Sequence, residues 1–470
     1  MNTAGSTPVR VAGEARGPRS AGRWGRLGRI VVLIGAPAVL VGSAWLGARQ
    51  VQAGRARAVE REQLATAAAL DRRSREDQIR VWNVALDTDP HSALALAQLA
   101  ALHVQKARES GDESHYAVAE DMARRSLTLR THRNAKTYVV LASVLLAQHR
   151  FSDARTAAAS ALALEPEVAQ YRALLAEIDM ELGDYDAAAR GFSGLAPYRT
   201  HLSIGPRLAR WAEVSGHPEY ARELLQALVA EAEQRRDLPR EQLAWFHYRL
   251  GDHYRRLGSS RRARASLERA LVVNPGDYRA HQALAQLDLA VGDTRDAAKH
   301  SRAAIAVSRT PETLLMLANV LRESDDPEGA KAIEREVASV IGPEGGSFER
   351  AWHAYRLEWD DRAPAELVPL LEREARERRD AQGFDLLAWA YYRSGRLAEA
   401  QAASSAALRT TGSDAMAWYH AGMIQYASGD VGLARVSLRK AMSLNPAFHS
   451  RHSRSARAVL AAIDGKRPSN

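Results

Sequence analysis

Apolar positions recur along most of this chain at intervals of three and four residues, the spacing of one face of a helix. The stretch Ala244 to Pro275, AWFHYRLGDHYRRLGSSRRARASLERALVVNP, displays the logic. His247, Leu250, Gly251 and Tyr254 form one stripe, and Gly258, Ser259 and Ser260 interrupt it. Ala263, Leu267 and Ala270 form a second stripe that stops before Asn274 and Pro275, where a proline ring forbids continuation. The pattern predicts two antiparallel helices, brought close by the small Gly251 and Ala263 and filled around that contact by Leu250, Tyr254 and Leu267. Alanine then repeats with this unit: Ala154 and Ala188, Ala263 and Ala297, and Ala400 and Ala434 are each 34 residues apart. A hairpin of that size cannot bury its apolar face alone, so neighbours must stack, and the expected fold is all-α, an α-solenoid.

The repeating residues resemble the tetratricopeptide repeat family, in particular bacterial members with an N-terminal membrane anchor. Its motif has an aromatic, Leu-Gly and Tyr in the first helix, then Ala, an aromatic, Ala and a late Pro in the second. Ala135 to Pro166 supplies Tyr138, Leu141, Ala142, Leu145, Phe151, Ala154, Ala158 and Ala161; Ala415 to Pro446 supplies Trp418, Ala421, Gly422, Ala434, Leu438 and Ala441. Weaker copies begin near Ala169, Tyr278, Pro311 and Ala381, Ala93 to Thr131 keeps Leu99, Ala100, Tyr116, Ala119 and Ala123, and degenerate helix pairs fill His201 to Asp237 and Ser347 to Asp380, for roughly ten units. In Ala93 to Thr131 the segment Arg108 to Ser114 reads as a lengthened turn. Arg172, Gly205 and Arg350 stand where the motif prefers a large apolar residue, which predicts shifted or poorly packed units. The resemblance implies a right-handed superhelix whose first helices line an inner surface that binds protein or peptide partners.

Ahead of the repeats, Ile30 to Ala48 (IVVLIGAPAVLVGSAWLGA) is uncharged and close to the roughly 20 residues a membrane-crossing helix needs. Residues 1–29 are then a basic disordered leader, 30–48 a transmembrane helix or signal anchor, and 49–76 a linker with helical character. Residues 77–341 hold the first group of repeats, led by a half-unit at Asp77 to Leu86. A hinge is expected over 342–346, and 347–463 holds the second group with a capping helix at Ser455 to Ile463, before a polar tail over 464–470. Arginine exceeds acid before the span, which keeps the leader cytoplasmic and exports the repeats to the periplasmic or extracellular side. A cleaved secretory signal, with small residues at Gly42, Ser43 and Ala44, is the alternative and gives a secreted protein. Trp45 after that cut, and an apolar run longer than the about 7 to 15 residues of a signal core, favour the retained anchor.

The net charge of +9 does not indicate nucleic acid, because residues 1–49 carry seven arginines against Glu14 and leave only +3 for the repeats. There are no cysteines, hence neither a disulfide frame nor a thiolate metal site. Phosphate-loop, zinc-helix and nucleophile-elbow motifs do not occur, so no catalytic, cofactor or metal residues are assigned, and no small-molecule substrate is evident. The pairs His247 with His253, His449 with His452, and Glu372 with Glu374 read as core or solvated side chains rather than chemistry. The face opposite the buried stripe is polar and aromatic: Trp245, Tyr248, Asp252, Arg255 and Arg256, then Asn319 and Arg322, Trp389, Tyr392 and Arg393, and Tyr419 and Tyr426. These are the candidate partner-binding residues. Only Asn319 with Arg322 hints at the family's carboxylate clamp. The expected function is a membrane-tethered scaffold that grips a partner in its groove and assembles or positions an envelope complex. An accessory or regulatory subunit of an envelope enzyme is the second reading.

Overall fold

The computed structural model describes residues 58–59, 62–64, 66–341, 350–409 and 412–465. The leader, the apolar span at 30–48, the hinge at 342–346 and residues 466–470 of the tail lie outside the described residues. Among the described residues every regular element is helical. Helix α1 (66–88) joins the end of the expected linker and the expected half-unit into one element. Ten hairpins follow: α2 (Ala93–Ser110) with α3 (Ser114–Leu129), α4 (Ala135–Ala147) with α5 (Phe151–Leu164), α6 (Ala169–Leu182) with α7 (Tyr185–Phe192), α8 (Gly205–Val214) with α9 (Pro218–Gln234), and α10 (Arg240–Arg256) with α11 (Ser260–Val273). The remainder are α12 (Tyr278–Ala290) with α13 (Thr294–Val307), α14 (Pro311–Glu323) with α15 (Pro327–Ile341), α16 (Arg350–Trp359) with α17 (Ala363–Glu377), α18 (Ala381–Arg393) with α19 (Leu397–Leu408), and α20 (Ala415–Ala427) with α21 (Val431–Leu444). Helix α22 (His452–Ile463) covers the last hairpin.

Small side chains set the spacing within hairpins. Ala154, Ala188, Ala263, Ala297, Ala400 and Ala434, the alanines of the 34-residue period, are all fully buried. A Cβ added at Gly251 would lie 2.7 Å from Leu267 Cγ, and one at Gly422 would lie 2.6 Å from Leu438 Cγ, so the same close approach is built twice. Gly205 is likewise a point of close approach rather than a poorly packed site, since a Cβ there would meet Arg199 O at 2.3 Å. Arg108 to Ser114 does not lengthen a turn: α2 continues to Ser110, and Gly111, at φ 67°, ends it in the left-handed conformation.

First helices touch the first helices of neighbouring hairpins, as α10 touches α12 and α18 touches α20, and so form a continuous inner layer with the second helices outside. The coil is tight enough for successive turns to meet. Arg379 N–H donates to Leu182 O (3.0 Å), Arg378 Nε to Glu181 O (2.7 Å), Ser413 Oγ to Glu213 O (3.1 Å), and Asn445 Nδ2 to Arg255 O (3.0 Å). These acceptors are carbonyls at the ends of α6, α8 and α10, which have no partner inside their own helices. Sequence separations of 197, 200 and 190 residues correspond to about five and a half hairpins per coil turn. Gly183 belongs to this seam: its φ is 82°, and a Cβ would come within 2.3 Å of Arg379 C.

Candidate functional site

The inner layer begins with a knot of charge. Asp252 on α10 is buried, accepting from Arg255 (2.7 Å) and Arg256 (3.0 Å) and facing Arg249 (3.7 Å). Glu213, near the end of α8, accepts from Arg249 (3.2 Å) and pairs with His253 Nδ1 (2.8 Å). Burial pushes the Glu213 carboxyl up, but Arg249, the bond from His253, Arg256 and Arg210 together hold it down at about 2. Burial also opposes ionisation of Asp252, and Arg256, Arg255 and Arg249 override it, holding this carboxyl far below the usual carboxylate range. Nearby, the Arg279 guanidinium lies over the Tyr248 ring at 5.9 Å, and Trp245 meets Phe246 edge-on at 5.1 Å.

An aromatic stack follows in the last hairpins. Trp389 lies between Tyr392 (4.8 Å) and His420 (4.2 Å), and Tyr419 stacks on His452 at 4.7 Å. Trp359 Nε1 donates to Asn319 Oδ1 (2.8 Å), while Arg322 pairs with Glu334 (2.6 Å). Arg393 is bound by Asp361 at 3.0 Å, and Tyr426 stands exposed near the end of α20. Between the ends of α6, α8 and α10 below and the starts of α18 and α20 above lies a cavity of about 370 Å³. Arg210, Arg255 and Arg256 face Glu181, Asp385 and Asp414 there, over Met180, Met416 and Phe448. Such a surface has hydrogen-bonding groups of both signs and an apolar floor.

Family models described as tetratricopeptide repeat match residues 139–194, 244–287 and 386–446, each falling on stacked hairpins of the structure. The chain carries tetratricopeptide repeats. No curated protein matches it. Solved structures similar to it include a human IFIT1 dimer with PPP-AAAA, at 18% identity over 67% of this chain and 72% of that one, with a TM-score of 0.45. A tetratricopeptide repeat protein from Parabacteroides merdae is similar at 16% identity, covering 57% of this chain and 100% of that one with a TM-score of 0.34. Yeast Tom70 is similar at 12% identity, covering 79% and 96% with a TM-score of 0.33.

Within this tetratricopeptide layer the predicted partner-binding residues divide into three sets. Asp252, Trp389 and Tyr419 are not open groove positions; they are 4%, 7% and 2% exposed. The physical reason is the tight coil, which turns the face opposite the hairpin core into a second packed interior. Asn319, Arg322 and Arg393 are half-buried and bound to the chain's own side chains, so the clamp-like pair is engaged internally. Trp245, Tyr248, Arg255 and Tyr392 are half-buried, and Arg256 and Tyr426 are exposed. Glu374 also departs from its solvated reading: it is buried, and its Oε1 accepts from Arg350, which forks onto Asp380 at 2.9 and 2.6 Å. Arg378 extends this network to Glu181 one coil turn away. The one available sequence signal was Arg350 itself, a charge in a position the repeat reserves for an apolar residue. The histidines His247, His253 and His452 are buried. Among the described residues no group of three or more His, Asp or Glu is placed to hold a metal, and no helix is long and apolar enough to cross a membrane.

Proposed function

We propose that this chain is a tetratricopeptide scaffold, tethered by residues 30–48, that captures a segment of a protein partner at its inner layer and positions that partner in an envelope complex. The observation that carries the binding half of this reading is the 370 Å³ cavity between coil turns. It offers arginines, carboxylates and apolar contacts together, as side chains of a bound peptide require, and it is lined by the ends of preformed helices. The ordering cost of binding then falls on the partner. Tyr392 lies outside the lining of that cavity, on helix α18 whose start borders it, at the half-exposed edge of the aromatic stack, and is the aromatic anchor of the capture surface. The tether rests on the uncharged run at 30–48 and the arginine-rich leader before it.

The test is a photoreactive phenylalanine at position 392 of the full chain, activated in membranes of the producing cell. One protein should be crosslinked from position 392 and not from Val436, which is exposed on the outer helix α21. Tyr392→Ala should reduce capture of that protein by roughly tenfold, the effect of losing one aromatic anchor. Equal crosslinking from both positions would remove the inner-layer assignment. Loss of residues 1–49 should release the chain from the membrane fraction.

A further inference from the structure

The linker between α21 and α22 does more than join two helices. Ser450 Oγ donates to Glu323 Oε1 at 2.6 Å, Arg451 pairs with Glu358 at 2.8 Å, and His452 Nε2 lies 3.0 Å from the other Glu358 oxygen. The Arg451 guanidinium covers the Trp359 ring at 4.3 Å, and Phe448 meets Tyr419 at 5.5 Å. Glu323 ends α14 and Glu358 lies at the end of α16, in the seventh and eighth hairpins, whereas the linker follows the tenth. The seam contacts of the coil join each hairpin turn to a linker five to six hairpins on. These contacts span only two to four hairpins, so the linker reaches across the inner layer rather than along the seam.

What the linker covers is a recognisable chemistry. Glu323 and Glu358 are two largely buried carboxylates, with side chains 13% and 12% exposed, and beside Glu358 in the chain is Trp359, whose indole takes a guanidinium on its face. A hydroxyl next to an arginine satisfies all three at once, through a charge-assisted hydrogen bond, an ion pair and a cation–π contact. The fit leaves a cavity of about 270 Å³ beside Phe448, His449 and Ser450, so the segment does not fill the space it lies in.

The geometry points to a peptide site, formed by Glu323, Glu358 and Trp359, that recognises a Ser/Thr-Arg pair and that Ser450-Arg451 occupies in cis. A partner segment carrying an aromatic residue followed closely by a hydroxyl and an arginine competes for it. This inference rests on the scaffold reading, and adds to it the class of segment recognised and a reason for selectivity. The occupied state lowers the apparent affinity for a competitor by the fraction of time the site is open.

The probe is a fluorescent synthetic peptide of residues 446–454, added to the full chain. With the site open about a tenth of the time, Arg451→Ala in the chain should tighten peptide binding by about tenfold. Adding Glu358→Gln to that variant should return binding to the wild-type level or below. Equal peptide affinity in wild type and Arg451→Ala overturns the proposal, as does indifference to Glu358→Gln. Should Arg451→Ala unfold the cap, hydrogen exchange of the wild-type chain decides: saturating peptide must accelerate exchange at amides 448–452, and unchanged exchange overturns the site. A partner captured from position 392 but insensitive to Arg451→Ala removes the latch and leaves the scaffold standing. Tightened peptide binding without any partner captured from position 392 does the reverse.

Discussion

Arg378→Ala should open one rung of the coil and leave the hairpins on either side folded. Arg378 is 7% exposed, and its guanidinium donates to Glu181 O and Glu181 Oε2, both at 2.7 Å, lies 3.0 Å from Asp380 Oδ2, and sits 4.1 Å from the Phe151 ring centroid. Removing one partner of a buried ion pair costs about 3–5 kcal/mol. The lower end applies here, because Asp380 keeps its fork from Arg350 and the Glu181 side chain is 23% exposed. A loss of about 3 kcal/mol corresponds to roughly a hundredfold more frequent opening. Two amides report on it directly: Arg379 N–H, donated to Leu182 O at 3.0 Å, and Ala381 N–H, donated to Tyr185 Oη at 2.8 Å. Hydrogen exchange should quicken at both by that factor while amides inside α6 and α18 keep their protection. Arg378→Lys, which retains charge without the planar fork, should fall between. Wild-type exchange at Ala381 would refute the energetic role of the rung, and acceleration throughout the chain would show that the variant unfolds rather than uncoils.

Two further outcomes test the packing and the buried histidines. Gly251→Ala should weaken protection across α10 and α11 by about 1–2 kcal/mol, since overpacking against fully buried Leu267 outweighs the helix-propensity gain; Gly432→Ala, with nothing within 4 Å, should be neutral or stabilising by up to about 1 kcal/mol. Equal behaviour of the two variants would mean the close approach is misread. Burial holds His247 and His353 down at about 4, with Arg269 adding to the first and Arg356 and Arg350 to the second. Each therefore stays neutral in the fold while the unfolded chain takes up its proton below about 6.5, so their stability is full above that value and is lost as pH falls towards 4. Local protection around α10 and α16 should drop by about 2 kcal/mol between pH 7 and pH 5, and His353→Gln should flatten the change at α16. A flat profile in the wild-type chain would exclude neutral trapping.

Local chemistry along the chain was enough to establish the hairpin. Apolar spacing, the 34-residue alanine period, turn glycines and helix-ending prolines are satisfied within one unit and its immediate neighbour, which is why the contact of Gly251, Ala263 and Leu267 is legible in the sequence. The coil could not be read the same way. Its pitch accumulates from small rotations at each hairpin interface, and the resulting contacts join residues 190 to 200 positions apart that share no periodicity. Whether a polar inner residue faces solvent or its own chain depends on that pitch. Asp252, Trp389 and Tyr419 therefore have the composition of a binding surface and the burial of a core, and Arg350, an irregularity in its repeat, is the centre of an ion-pair network. Sequence determined the helices, their pairing and the stacking of repeats, because those follow from which side chains lie on which face. Tertiary structure alone decided how far the coil closes, which carbonyls meet across its turns, and that Ser450 and Arg451 lie against Glu323 and Glu358, because each depends on the summed geometry of many interfaces.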